Sequence, residues 1–227
     1  MGIAADFIEL VKKIYVEESP KVIIDAGSRD LAESIQMSEA FPEATILAFE
    51  PNPYQYKICY EASKNYTNIR VFEYACGDIE DTVDFWLVNE NVGASSILEP
   101  AEKFINAGWQ YGHRDCTFQK IPGIRVRRLD SFLQQIGIDK VDVIWMDVQG
   151  NELQALQGLG DYIKDVKVMH TEAAITPYYK GHQPKEVLEK WIQEQGFRTY
   201  FVPTRDPHMF GESDLICIKN EIGLVYP

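Results

Sequence analysis

Lys21-Val-Ile-Ile-Asp-Ala-Gly-Ser-Arg-Asp30 is the stretch that decides the fold. Val22, Ile23 and Ile24 are consecutive β-branched residues with no polar alternation, the pattern of a strand buried on both faces. The run ends in an acid followed by Ala26-Gly27, the punctuation of a strand entering a tight turn. Outward from it, Leu31 to Phe41 has helical spacing and stops at Pro42. Thr45-Ile-Leu-Ala-Phe49 is a second buried strand that ends at Glu50-Pro51-Asn52-Pro53, with Asn52 as N-cap and Pro53 in the first turn of the next helix. A third strand, Ile69 to Tyr74, ends at Ala75-Cys76-Gly77-Asp78. Strand, helix, strand, helix, strand in this order predicts a parallel sheet with helices on both faces and a ligand at the strands' carboxyl ends.

Thr82 to Val88 alternates like an extra strand, while Asn91 to Ser96 and Pro100 to Gly123 lack a period. Residues 82–123 therefore read as an irregular insert, a lid or a flexible loop. Regularity resumes with Val141 to Asp147 as strand four, Glu152 to Leu159 as a helix, Val166 to Glu172 as strand five, and Pro184 to Gln195 as a helix ended by Gly196. Phe197 to Val202 and Leu215 to Lys219 are the last strands. Their connection is short for a crossover helix, which predicts an antiparallel closing pair.

At 227 residues the chain fits one domain, residues 1–227, with an amphipathic helix within residues 1–20. The formal net charge of −13 repels phosphate backbones and anionic lipid, which argues against a nucleic-acid or membrane partner. Cys59, Cys76, Cys116 and Cys217 form none of the short pairs used by thiolate metal sites and read as free thiols. With no signal peptide and no long apolar stretch, a cytoplasmic location is expected.

The turn Asp25-Ala-Gly-Ser-Arg-Asp30 has too few glycines for a pyrophosphate-binding fingerprint. One glycine after an acid suits a ligand without phosphate, whose cationic headgroup a carboxylate balances. Glu50, at the tip of the neighbouring strand, is placed to accept both hydroxyls of a ribose. Asp78 is placed to accept from an adenine amino group, or is an acidic turn residue. Three acids at three successive strand tips make a nucleoside-shaped site.

The run from Asp25 through Phe49-Glu-Pro-Asn-Pro53, the element Gly93-Ala-Ser-Ser96, Arg128-Leu-Asp-Ser-Phe132 and Met146-Asp-Val-Gln-Gly-Asn-Glu152 resemble the FkbM-type class I methyltransferases, over about Lys21 to Lys219. The resemblance implies an α/β fold with a Rossmann-like, doubly wound, mostly parallel seven-stranded sheet and an antiparallel last strand. It also implies S-adenosylmethionine as methyl donor, and O-methylation of sugar or natural-product hydroxyls. Asp25, Gly27 and Ser28 would then line the donor's methionine end, Glu50 with Pro51 and Asn52 its ribose, and Ala75, Cys76 and Asp78 its adenine. Arg29 pairs with the donor's carboxylate or with a surface acid. The chain departs from the family at Ser28-Arg29-Asp30, where a second glycine is common, and at Gln149, where Glu is common.

An alcohol acceptor must lose a proton during transfer. Asp147 and Glu172, at the tips of strands four and five, are each placed to take it. His170 lies two residues before Glu172 and so on the same side of its strand, as a core residue or a base. Asp147, His170 and Glu172 together are a possible divalent-cation site, though without compact ligand spacing, and no metal is assigned. Ser95 and Ser96 can approach a ligand closely. Loop residues His113, His182, Trp109, Tyr111, Tyr178 and Tyr179 are placed toward a sugar or polyketide acceptor. Two other readings fit a similar sheet: an NAD-dependent oxidoreductase or epimerase, and a nucleoside-binding module without catalysis.

Overall fold

The structure, a computed structural model, describes residues 2–102, 105, 110–111, 114–203 and 212–226. Its elements in chain order begin with α1 (Ile3–Ile14), β1 (Val22–Ala26), α2 (Ala32–Ala40), β2 (Thr45–Phe49), α3 (Pro53–Ser63) and β3 (Ile69–Phe72). Then come β4 (Ala75–Gly77), β5 (Asp81–Val88), the short β6 (Gln110–Tyr111) and β7 (Arg114–Asp115), β8 (Phe118–Arg128), α4 (Leu129–Gln135) and β9 (Val143–Met146). The chain continues through α5 (Glu152–Gln157), β10 (Val168–Ala174), α6 (Lys185–Glu194), β11 (Phe197–Pro203) and β12 (Glu212–Lys219).

The main sheet has seven strands in the order β11-β12-β10-β9-β1-β2-β3. Pairings β1–β2, β1–β9, β2–β3 and β9–β10 are parallel, and β12 runs antiparallel to both its neighbours. The α/β, doubly wound, mostly parallel sheet read from the sequence is therefore the observed fold. β1 sits at its centre, where all five side chains are buried, which explains its unbroken apolar run. Because side chains alternate along a strand, successive residues feed opposite layers. Ile24, Leu47, Ile144 and Met146 pack under α4, α5 and α6 with Phe132, Leu156 and Ile192. Ile23, Ile46, Val143 and Trp145 pack under α1, α2 and α3 with Phe7, Met37 and Cys59. α1 buries Ala4, Phe7, Ile8 and Val11, one face at helical spacing, so burial of that stripe and not isolated propensity makes it a helix.

Two sequence expectations need correction. The third strand stops at Phe72, and Ala75-Cys76-Gly77 is not a strand-end turn but β4, which pairs in parallel with β8 in a second, three-stranded sheet ordered β4-β8-β5. The insert 82–123 is likewise not irregular throughout. β5 pairs along its length with the eleven-residue β8, whose pattern is disguised by a slip in register between Val83 and Phe85. Val83 faces Ile124 while Phe85 faces Ile121, so Pro122-Gly123 on β8 is the two-residue side of a bulge. Proline brings no N–H to the ladder, and Gly123 takes φ +86°, which side chains rarely adopt. The bulge reverses the in–out phase, so that Ile121 packs with Ile124 and Val126 despite the odd spacing.

β10 also runs two residues past the expected end. Its parallel neighbour β9 stops at Met146, but β12 goes on pairing through Ala173↔Ser213 and Ala174↔Glu212. No helix among the described residues is long and apolar enough to cross a membrane.

Candidate active site

The carboxyl ends of β1, β2 and β9 open into one cleft, roofed by the second sheet and the segment after it, with about 810 Å³ of empty space including its mouth. Its walls include Gly27, Arg29, Glu50, Cys76, Ser96 and Asp147. Parallel topology builds it: each strand end turns away toward a helix, and the turns diverge where the helices switch face.

The β1 turn is packed against β9. Gly27 has φ +90°, and a Cβ there would lie 1.8 Å from the Asp147 carbonyl oxygen, so only glycine lets the two strand ends meet. Ser28 is fully buried and its Oγ donates to the Asp25 carbonyl at 3.0 Å, closing the turn from inside. Asp25 is also fully buried. Its Oδ2 accepts from Ser34 Oγ at 2.5 Å, Oδ1 has no hydrogen-bond partner among the described residues, and burial pushes its carboxyl up to about 7.

Glu50 forms the adjoining wall. Its Oε2 accepts from the Arg29 N–H and its Oε1 from the Asn52 N–H, each at 2.7 Å. Each oxygen keeps a further lone pair for a ligand hydroxyl. Burial pushes this carboxyl up to about 8, against the two N–H bonds that favour its ionised form. Asn52 turns away and caps α3, accepting from the Tyr54 N–H at 3.0 Å. Pro51 stays in the wall, and Arg29 lines the mouth with its guanidinium 3.5 Å from Asp30.

Opposite lies a chain of polar groups. Gln149, buried and held at φ +52°, donates from Nε2 to both Asp147 Oδ1 and Glu172 Oε2, each at 2.6 Å. Asp147 faces the cleft but is otherwise enclosed by protein. Burial raises its pKa, while the Gln149 bond and His170 act in the lowering direction. His170 stacks on Trp145, with centroids 3.7 Å apart and planes 12° from parallel, and its Nε2 is hydrogen-bonded to Asp214 Oδ1 at 2.7 Å.

A second buried pair lies behind this wall. Glu152 accepts from the Val148 N–H at 3.2 Å and the Gly150 N–H at 3.0 Å, and burial pushes it up to about 7. His182 Nε2 stands 3.8 Å from Glu152, and burial pushes this histidine down to about 4.

The roof segment is fastened on two sides. Ser96 Oγ donates to the Gln149 carbonyl at 2.7 Å, and Tyr179 Oη donates to the Ala94 carbonyl. Ser95 Oγ accepts from the Val88 N–H at 3.0 Å.

The candidate residues thus divide. Gly27, Arg29, Glu50, Pro51, Ala75, Cys76, Ser95, Ser96 and Asp147 line the cleft. Asp25, Ser28 and Asn52 support it from behind. Asp78 does not line it: β4 carries Asp78 away, and its carbonyl accepts from Arg128 Nη1 at 2.8 Å. The nucleoside-shaped triad of acids is therefore represented in the cleft wall by Glu50. At the possible cation site of Asp147, His170 and Glu172, an amide donor sits between the two carboxylates and His170 turns to Asp214. Among the described residues no group of three His, Cys, Asp or Glu side chains is arranged to hold a metal ion. Trp109, His113 and the side chain of Tyr111 lie outside the described residues.

Sequence reasoning gave no role to Trp145, Gln149 or Glu152. A signal for Trp145 existed, since period-two alternation along β9 places it on the side of Asp147. Gln149 and Glu152 act through a left-handed turn, which local pattern does not reveal.

A cleft at the open end of this seven-stranded order defines a class of fold shared with methyl-transferring enzymes. A protein described as a candidate O-methyltransferase from Klebsiella pneumoniae superposes with a TM-score of 0.54 at 10% identity, covering 96% of this chain and 81% of that one. That likeness concerns the fold alone. Residues 25–199 match the Methyltransferase FkbM domain, and the chain belongs to that family of methyltransferases. It is 27% identical over 179 residues to the 2-O-methyltransferase NoeI of Sinorhizobium fredii, covering 76% of this chain and 71% of NoeI. It is 25% identical over 202 residues to methyltransferase sdnD of Sordaria araneosa, covering 77% of this chain and 73% of sdnD.

Proposed function

We propose that this methyltransferase uses S-adenosylmethionine to methylate a hydroxyl of a sugar or natural-product acceptor. The observation that carries the reading is that two carboxylates, Glu50 and Asp147, line one cleft at the carboxyl ends of the strands. The relative named as a 2-O-methyltransferase supports oxygen as the atom methylated.

The cleft suits such a donor. Glu50 would hold the ribose hydroxyls through its remaining lone pairs, Arg29 the carboxylate, and the apolar surface around Ala75, Cys76 and Phe85 the base. When bound, the sulfonium supplies an activated methyl group and an excellent leaving group. The chain's own task is to align the acceptor oxygen behind that carbon, exclude water and receive one proton. As the acceptor oxygen takes the methyl group, its hydroxyl proton would pass to Asp147, which lines the cleft with Gln149 beside it and Glu172 behind.

Calorimetric titration with S-adenosylmethionine and, separately, with NAD tests the donor. Binding of the first and not the second is expected, and NAD binding alone would overturn the reading. Transfer of label from methyl-labelled donor to a panel of methyl glycosides and polyols tests the chemistry. Glu50→Ala should weaken donor binding at least about tenfold, since two charge-assisted hydrogen bonds are lost. Unchanged affinity would remove Glu50 from the site.

A further inference from the structure

Gln149 is an unusual residue to find where it is. It is buried, it holds a left-handed backbone at φ +52° although it is not glycine, and it spends one nitrogen on two carboxylates. An amide nitrogen carries two hydrogens about 120° apart, so two bonds of equal length hold Asp147 and Glu172 a fixed distance apart. The backbone carbonyl of the same residue accepts from Ser96 Oγ, which fixes the peptide as well as the side chain. Strain of this kind persists only where surrounding contacts over-determine it.

The two carboxylates are not equivalent. Asp147 lines the cleft, whereas Glu172 stands behind Gln149, off its wall. Gln149 takes Oδ1 of Asp147, and Oδ2 has no hydrogen-bond partner among the described residues. We propose that Gln149 is the positioning residue that keeps Asp147 a carboxylate and turns its second oxygen to the acceptor hydroxyl. This rests on reading the wall as the proton-receiving side of a methyltransferase.

The charges around Asp147 show why a clamp is needed. Asp25 faces it from β1, Glu50 from the end of β2, Glu152 from α5, Glu172 from β10 and Asp214 from β12. Against these acids stand Arg29 on the β1 turn and His170 on β10. Burial and five neighbouring acids favour the protonated form, and a protonated Asp147 receives nothing. A neutral donor shared between two carboxylates opposes both effects without adding charge. Glutamate in the same place would add a sixth acid and, unless it held a proton, could not donate to either carboxylate.

The test uses full-length protein with 13C-labelled Asp and Glu carboxyl groups, titrated by NMR with S-adenosylhomocysteine present. Asp147→Asn identifies the Asp147 signal by its loss. In Gln149→Met the Asp147 midpoint should rise by about one pH unit or more, a tenfold change in proton affinity, and near-isosteric Gln149→Glu should raise it at least as far. The acidic limb of turnover on methyl glycosides should move with it, while calorimetric affinity for S-adenosylmethionine stays within about twofold. A packing role alone would move neither midpoint nor limb. Should the Met variant fail to fold, Gln149→Leu, which likewise removes the donor without adding a charge, decides the question by the same readout. Midpoints agreeing within about 0.3 unit across the three proteins overturn the clamp and leave the proposed reaction standing. An Asp147→Asn enzyme at wild-type turnover overturns the base itself, and the proposal falls with it.

Discussion

Gly27→Ala places a methyl group where the tips of β1 and β9 touch, and its cost can be built from the geometry. The first part is backbone: φ is +90°, and an L residue held in positive φ costs about 1–2 kcal/mol. The second is contact. The new Cβ would lie 1.8 Å from the Asp147 carbonyl oxygen and 2.8 Å from its carbon, so the two strand ends must separate. What resists separation is the ladder itself, in which the Asp147 N–H donates to Ala26 and the Gly27 N–H to Phe49, both at 2.9 Å. Loss of one such buried bond costs about 1–3 kcal/mol. The sum is about 2–5 kcal/mol, a large fraction of the stability of an ordinary domain.

The assay is urea unfolding at fixed pH, with the slope checked so that a changed midpoint reports stability alone. For a chain of this size the melting temperature should fall by about 4–20 °C. Gly123→Ala is the control: its φ is +86°, but nothing lies within 4 Å of the added carbon. It should lose only the backbone part, about 1–2 kcal/mol. If the two variants lose the same amount, contact with Asp147 is not what selects glycine at position 27.

Further outcomes follow from the buried acids and the roof. Asp25, Glu50 and Glu152 have folded-state values raised by burial to about 7, 8 and 7, so their contribution to stability is full below the ordinary carboxylate range and is lost as pH rises through 7 to 8. The ligand-free protein should therefore melt higher at pH 5.5 than at pH 8.5, and Glu50→Gln should flatten that slope; a melting temperature that climbs over the interval would contradict the burial argument. Ser34→Ala removes the hydroxyl that donates to Asp25 and should cost about 1–3 kcal/mol, more at pH 8 than at pH 5.5, as read from urea midpoints at both values. Equal loss at both would mean that Asp25 does not change its charge between them. Tyr179→Phe should speed hydrogen exchange at the Ser96 amide by about fivefold, because one bond of about 1 kcal/mol is lost from the roof; unchanged exchange would show that Tyr179 does not restrain it.

The central sheet could be read from the chain because its strands are buried on both faces, so Val22 to Ile24 and Ile46 to Phe49 signal burial without needing a partner. β8 could not, since Pro122-Gly123 reverses its phase, and β4 is three residues whose only reason to be a strand is β8. Glu50 was legible as the acid after a buried strand. Asp78 misled for the same reason: the strand before it ended at Phe72, two residues short of the expected Tyr74, and a further strand, β4, stands between. The second wall depended on which way side chains turn. Gln149 reaches across to Glu172, 23 residues away, because its own backbone is left-handed, a conformation that local sequence does not announce.

The roof over the cleft is joined to β9 through Ser96 and to the loop before α6 through Tyr179, two places that are remote from each other in the chain. Net of water, each link is worth about 0.5–1.5 kcal/mol, added to the backbone bonds that Ser96 exchanges with Trp86. The upper wall of the cleft is thus held in part by Tyr179, a residue that does not itself line it.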